Sequence, residues 1–260
     1  MIRLKKKINN NKVAIVTGAG SGIGEAVALA LLKEGWHVFL VGRNTDKLIK
    51  TKKKSEKNKN KGFCQIFSCD VSVETEVQKL FLEVDKKYKR LDVLFNNAGI
   101  GLKTKTIDEI NFQDWKKVID VNINGMFLCA KFAYKLMKKQ KPRGGRIINN
   151  GSISAYTPRP GSVAYTTSKH AVTGLTKSIA LDGRNDDIVC SQIDIGNAET
   201  KLTRSFKEGV IQPNGKKLKE ATMDVKHVAE TIINILKLPL DTNILNLTIM
   251  ANKMPYIGRG

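Results

Sequence analysis

Cysteine is scarce in this sequence and carries no pattern. Cys64, Cys69, Cys129 and Cys190 form no C-x-x-C pair and have no histidines at matching spacing, which excludes a zinc ribbon or a dithiol redox centre. Buried thiols and no metal site are expected. Proline numbers only six, and no Pro/Gly/Ser-rich linker divides the chain. Its 260 residues therefore read as one domain over 1–260, with a core over about 12–250. Long apolar runs are missing as well. No stretch approaches the roughly 18 consecutive apolar residues of a membrane span, and the basic start MIRLKKKINNNK leads into no apolar leader core. A soluble, cytoplasmic chain with no membrane partner is the expectation.

Acidic residues are also few. Asp and Glu number 24 against 45 Lys and Arg, a net charge of +21, and such an excess raises the question of nucleic acid or anionic lipid. The cations are 36 Lys and nine Arg, scattered over most of the chain, whereas base readout and bidentate phosphate recognition draw on arginine. A solvated lysine surface without nucleic acid is the reading adopted. A non-catalytic protein that binds nucleic acid or anionic lipid stands as the alternative function.

What the chain does contain is alternation. Short apolar runs at 13–17, 36–41, 63–68, 91–95, 145–149, 188–193 and 244–250 read as strands. Between them, helical patterns occupy 26–32, 46–61, 73–87, 111–139, 163–181 and 225–237. Alternating strands and helices predict an α/β fold, a single doubly wound Rossmann domain. Its seven-stranded sheet is mainly parallel, with helices on both faces. The long irregular stretch at 194–222 follows the sixth strand, where such sheets place their ligand crevice. It is the expected substrate loop.

Two motifs carry chemistry. Thr17-Gly18-Ala19-Gly20-Ser21-Gly22-Ile23-Gly24 joins the first strand to the first helix, where glycines permit a tight turn and the helix N-terminus faces an anion. Tyr165 and Lys169 lie four residues apart on one helix face. An adjacent ammonium favours phenolate, moving a reference pKa of about 10 toward neutrality at about 1.4 kcal/mol per unit. Chance alone supplies roughly 0.7 such pairs in a chain of this composition, and a second one, Tyr134 with Lys138, is present. Thirteen residues before Tyr165 stands Ser152, just beyond a strand, whereas Val121 precedes Tyr134 at the same distance. The Tyr165 pair is read as functional and the Tyr134 pair as surface.

From about Lys12 to Met250 the chain resembles the short-chain dehydrogenase/reductase family, in its short single-domain branch. The resemblance rests on T-G-x-x-x-G-x-G at 17–24, N-N-A-G at 96–99, the set Ser152, Tyr165 and Lys169, and V-N-x-x-G at Val121–Gly125. Ser21, where the longer epimerase-like branch has glycine, argues against that branch. The resemblance implies an NAD(P)-dependent oxidoreductase that transfers hydride between a nicotinamide and an alcohol or carbonyl. Tyr165 is then the general acid/base and Ser152 holds the substrate oxygen. Lys169 lowers the tyrosine pKa and holds the ribose, and Asn122 supports a water relay. A small-molecule substrate and a homodimer or homotetramer are also implied.

The cofactor residues implied are Gly18, Ser21, Gly22, Ile23, Gly24, Arg43, Asp70, Val71, Asn97 and Thr200, together with Tyr165 and Lys169. Gly42 stands where an acidic residue would select NAD, and Arg43 follows, so NADPH is favoured and NADH remains open. Asp70 reads equally as an adenine contact or as a helix cap. Ile195 replaces the proline usual before Gly196, which frees the path of the following loop. Ser154 and Tyr156 are candidates for the pocket wall and His170 is read as passive. Trp115, Val118 and Ile119 are assigned to core or interface. Lys201, Lys207, Lys216, Lys217 and Lys219 barely rise above the lysine background.

Overall fold

The computed structural model describes residues 12–200, 203, 206 and 208–257. The basic start at 1–11, with Lys201 and Lys207, lies outside them. Seven strands form one sheet: β1 Val13–Thr17, β2 His37–Gly42, β3 Cys64–Ser68, β4 Val93–Asn96, β5 Gly145–Asn150, β6 Ile188–Gly196 and β9 Asn246–Met250. Their order is β3-β2-β1-β4-β5-β6-β9 and every pairing is parallel. Strands and sheet agree with expectation.

Burial on both faces explains why the central strands β1 and β4 are mostly apolar. Ala14 and Val16 of β1 point into one core layer, Val13 and Ile15 into the other. The first layer is closed by α1 Gly22–Lys33, α2 Thr45–Lys57 and α7 Val225–Leu236, through Val27, Leu31, Leu48, Val228 and Ile232. The second is closed by α3 Glu74–Tyr88 and α5 Gly125–Lys139, with a contribution from α6 Val163–Asp182. Each fully buried Leu or Ile contributes about 1.5–3 kcal/mol. All four cysteines are buried in these layers. Among the described residues, no helix is long and apolar enough to cross a membrane.

The 111–139 helix is real but interrupted. α4 Phe112–Ile119 passes through a π turn, Asp120–Asn124, into α5. The wider turn falls on Asn122, as π turns often do at functional sites. The 194–222 stretch also differs from expectation, because it carries a small antiparallel hairpin of β7 Val210–Ile211 and β8 Lys217–Leu218. Pro213-Asn214-Gly215 makes its turn, with Gly215 at φ +78° and its N–H donating to Gln212 O at 2.9 Å. That tripeptide is a hairpin signal of the usual kind.

Strand order reverses between β1 and β4. The crevice at their carboxyl ends is where such sheets bind ligands.

Candidate active site

β1 ends at Thr17 and the chain turns at once through Gly18 (φ +68°) and Gly22 (φ +56°). A side chain on Gly24 would lie 2.3 Å from the Gly18 carbonyl oxygen, and one on Gly18 would lie 2.8 Å from Asn97 Nδ2. The turn therefore folds tightly onto both α1 and the end of β4. Asn97 braces it: its backbone N–H donates to Thr17 Oγ1 and its side-chain amide to Thr17 O, both at 2.8 Å. Asn44, Asn111 and Asp224 cap α2, α4 and α7 with side-chain oxygens. Ser21 makes no such bond at the start of α1, so the first turn there has no side-chain cap, as is also the case for α3 and α6. Close backbone approach and an uncapped helix end fit the pyrophosphate of a dinucleotide. Ile23 packs into the core beneath the turn. Thr200 reaches over it, its Cγ2 only 3.1 Å from where a Gly22 Cβ would stand.

At the other end of the crevice, Arg43 Nη1 lies 3.5 Å from Asp70 Oδ2, with the arginine about half exposed. Asp70 Oδ1 accepts from the backbone and hydroxyl of Ser72 at 3.0 and 2.6 Å. Burial pushes the Asp70 carboxyl up, but Ser72 and Arg43 outweigh it and leave it below its usual range. Capping thus takes an unexpected form, because Asp70 closes its own turn while Val73 occupies the N-cap of α3. Val71 is buried against the start of α5, where a Cβ on Gly125 would come within 2.7 Å of it.

The four expected catalytic residues converge. Ser152 follows β5, and both it and Tyr165 of α6 line a cavity of about 690 Å³. Lys169 Nζ sits 5.5 Å from the Tyr165 ring centre and donates to the Asn150 carbonyl at 2.7 Å. Asn122 is locked by Ile100, whose N–H it accepts at 2.8 Å and whose carbonyl it donates to at 2.9 Å. It also donates to Ser168 Oγ at 3.0 Å, and that hydroxyl donates to Tyr165 O at 2.7 Å. Ser168 and Asn150 are links that the motif left unread.

Burial works against one expectation. Lys169 was to bring the Tyr165 phenol down, yet burial dominates and pushes it above its ordinary value. Hydrogen bonding with Ser152 opposes that rise, and the charge of Asp194 adds to it. The same burial takes the Lys169 ammonium down to about 8, against the pull of Asp194. Spacing on a helix reveals proximity but not desolvation.

Asp194, at the end of β6, is wholly buried and accepts the Ser152 N–H at 2.8 Å. An acid inside the apolar run of a central strand was the overlooked signal. Tyr156 does not turn inward as a wall residue, and its hydroxyl donates to Asp194 at 3.1 Å. Ser154 does line the cavity. Also unread was Arg159, which grips Glu220 in a bidentate pair at 2.6 Å and donates to Asn197 Oδ1 at 3.1 Å. Arg159 stacks over Phe206 at 4.8 Å. Glu220 further accepts from Asn197 and Gln212 at 2.8 and 2.9 Å. This cluster fastens the 194–222 segment to the wall of the cavity.

His170 stands exposed with Nδ1 3.0 Å from Thr166 O, away from the cluster. Val118 is core and Trp115 half-buried. Tyr134 is more than surface: its hydroxyl donates to Asp182 O and to Asp186, both at 2.9 Å, and Lys138 pairs with the same Asp186. That pair is a structural pin.

A family model described as short chain dehydrogenase matches residues 12–210. A 3beta-hydroxysteroid dehydrogenase of Mediterraneibacter gnavus is 42% identical over 194 residues, 75% of this chain and 68% of that protein. A farnesol dehydrogenase of Aedes aegypti is 32% identical over 242 residues, covering 92% and 95% of the two chains. Among solved structures, an actinorhodin polyketide ketoreductase variant with NADPH superposes with a TM-score of 0.80 at 27% identity, over 92% of this chain and 96% of that one.

Proposed function

The chain belongs to the short-chain dehydrogenase family, and from that premise we propose that this oxidoreductase moves hydride between a nicotinamide dinucleotide, preferably NADPH, and an alcohol or carbonyl compound on a hydrophobic frame. The observation that carries this reading is the meeting of Ser152 and Tyr165 at one cavity wall, with the Lys169 ammonium 5.5 Å from the Tyr165 ring centre. The Gly18–Gly24 turn and the uncapped end of α1 hold the pyrophosphate. Arg43 would hold an adenosine 2′-phosphate, Asp70 and Val71 the adenine, Asn97 the adenosine side and Thr200 the carboxamide. Bound there, the nicotinamide supplies or takes the hydride at the substrate carbon.

The chain's own residues handle the proton and the oxygen. In reduction, the Ser152 hydroxyl donates a hydrogen bond to the carbonyl oxygen and orients it. The Tyr165 hydroxyl gives that oxygen its proton as charge builds there. The Lys169 ammonium, held by Asn150 O, steadies the resulting phenolate and the ribose. Asn122, fixed at the π turn, supports the water path that restores the proton. Oxidation runs these steps backwards.

The cavity wall supports an apolar substrate, since Leu102, Ile110, Ile153, Ile195, Phe206 and Val210 all contribute to it. Two relatives are named for a steroid and for an isoprenoid alcohol, which supports the same class. Titration with NADPH and NADH, followed by fluorescence and then turnover of apolar ketones, tests the reading. Binding of neither nucleotide refutes it. Arg43→Ala is expected to weaken NADPH binding roughly tenfold, about 1.4 kcal/mol, and NADH binding far less. Equal losses refute the assignment of the phosphate. Assembly as a homodimer or homotetramer is supported by Phe112 and Phe127 on α4 and α5, 71% and 48% exposed. Light scattering at micromolar concentration checks it, and a monomer refutes it.

A further inference from the structure

A buried carboxylate stands directly behind the reacting residues. Asp194 is 0% exposed, and four groups donate to it. Oδ1 receives the Ser152 N–H and Gln192 Nε2, each at 2.8 Å. Oδ2 receives Gln192 Nε2 at 3.0 Å, Tyr156 OH at 3.1 Å and Asn246 Nδ2 at 2.8 Å. Such a shell satisfies the oxygens of a carboxylate that water does not reach. The neighbouring backbone is shaped around it: a Cβ on Gly151 would fall 2.0 Å from Asp194 Oδ1. Gly151 and Ser152 can therefore take their path only because residue 151 has no side chain and residue 194 offers an acceptor. Gln192 is tied in turn to Thr173 of α6 at 3.1 Å.

We propose that Asp194 is a positioning residue of this active site, fixing the Ser152 backbone and, through its buried charge, keeping the proton on Tyr165, so that the site is set to protonate a carbonyl oxygen rather than to deprotonate an alcohol. The inference rests on the alcohol/carbonyl reading above. The groups that face Tyr165 are few. Lys169 comes from α6, Ser152 from the segment after β5, and Asp194 from β6 with Tyr156 on its far oxygen. Arg159, on the cavity wall, is paired with Glu220, and Lys103 and Lys217 line the same cavity. Lys169 alone would favour phenolate, and a fixed negative charge nearby opposes that. The same charge pulls on the Lys169 ammonium against the burial that brings it down to about 8.

The test titrates Tyr165 directly. Phenolate absorbance in the near ultraviolet is followed with pH in wild type, Asp194→Asn and Asp194→Ser, each with and without Tyr165→Phe, and the difference isolates one of five tyrosines. Asn keeps the shape of the side chain, and Ser keeps an acceptor for the Ser152 N–H. In both neutral variants the Tyr165 midpoint is expected about one pH unit lower, a tenfold gain in acid strength. The alkaline limb of ketone reduction is expected to move down with it. An unchanged midpoint in a folded variant overturns the proposal. Failure of both variants to fold also overturns it, by assigning the carboxylate to the fold alone. The titration needs no turnover, so a wild type inactive toward every carbonyl tried refutes the functional reading separately.

Discussion

Tyr165→Phe is expected to lower turnover by about three orders of magnitude, the size of effect that a positioned general acid supplies, while NADPH binding changes less than twofold. The substitution removes one hydroxyl and nothing else. The ring stays in the cavity wall and Lys169 keeps its bond to Asn150 O, so the cost in stability is expected to stay within about 1 kcal/mol. Steady-state turnover, nucleotide fluorescence and thermal melting on the same preparation separate these outcomes. Undiminished turnover would remove Tyr165 from the mechanism. The direction of the pKa shifts adds a pH dependence. Burial raises Tyr165, so the acid remains loaded throughout the neutral range. Lys169, lowered to about 8, loses its charge first as pH rises, and reduction is expected to decline from there.

Glu220→Gln is expected to loosen the substrate segment by about 3 kcal/mol, because it leaves the Arg159 guanidinium without its carboxylate in a largely buried place. The pair ties the hairpin segment to the wall that carries Ser152 and Tyr165. The loss should therefore appear as a rise in KM of tenfold or more with kcat less affected. Trypsin supplies a second readout, since Lys216, Lys217 and Lys219 are exposed on or beside the hairpin and cleavage there should accelerate. Unchanged KM and unchanged cleavage would show that the pair does not hold the loop. Acid has a related effect. Burial pushes the Glu220 carboxyl up, but bonds from Arg159, Asn197 and Gln212 outweigh it and bring it down to about 2. Its contribution is complete above the ordinary glutamate range and is lost as pH falls from there through about 2.

The strands were legible because central parallel strands are buried on both faces, and runs such as that at 13–16 are consequently apolar without a break. The glycine turn and the Ser152, Tyr165 and Lys169 set were legible because each is written in a short stretch or at a fixed spacing. Other features depend on partners distant in sequence. Asp194 meets Ser152 across 42 positions and Arg159 meets Glu220 across 61, joined only by the β5–β6 pairing and the return of the 194–222 segment. The pKa of Tyr165 escaped for a related reason. A spacing of four places the ammonium, but only the assembled cavity reveals how far water is excluded from the phenol.

The placement of the cysteines has a practical side. Cys69, Cys129 and Cys190 are at most 1% exposed and Cys64 is 7% exposed. Burial raises all four thiols, Cys69 and Cys190 to about 12. Alkylating reagents attack thiolates, so the folded chain is silent to them. A single cysteine placed on the surface can then carry a spectroscopic probe in an otherwise native background. In the unmodified chain, the number of thiols that become reactive counts the molecules that have come apart.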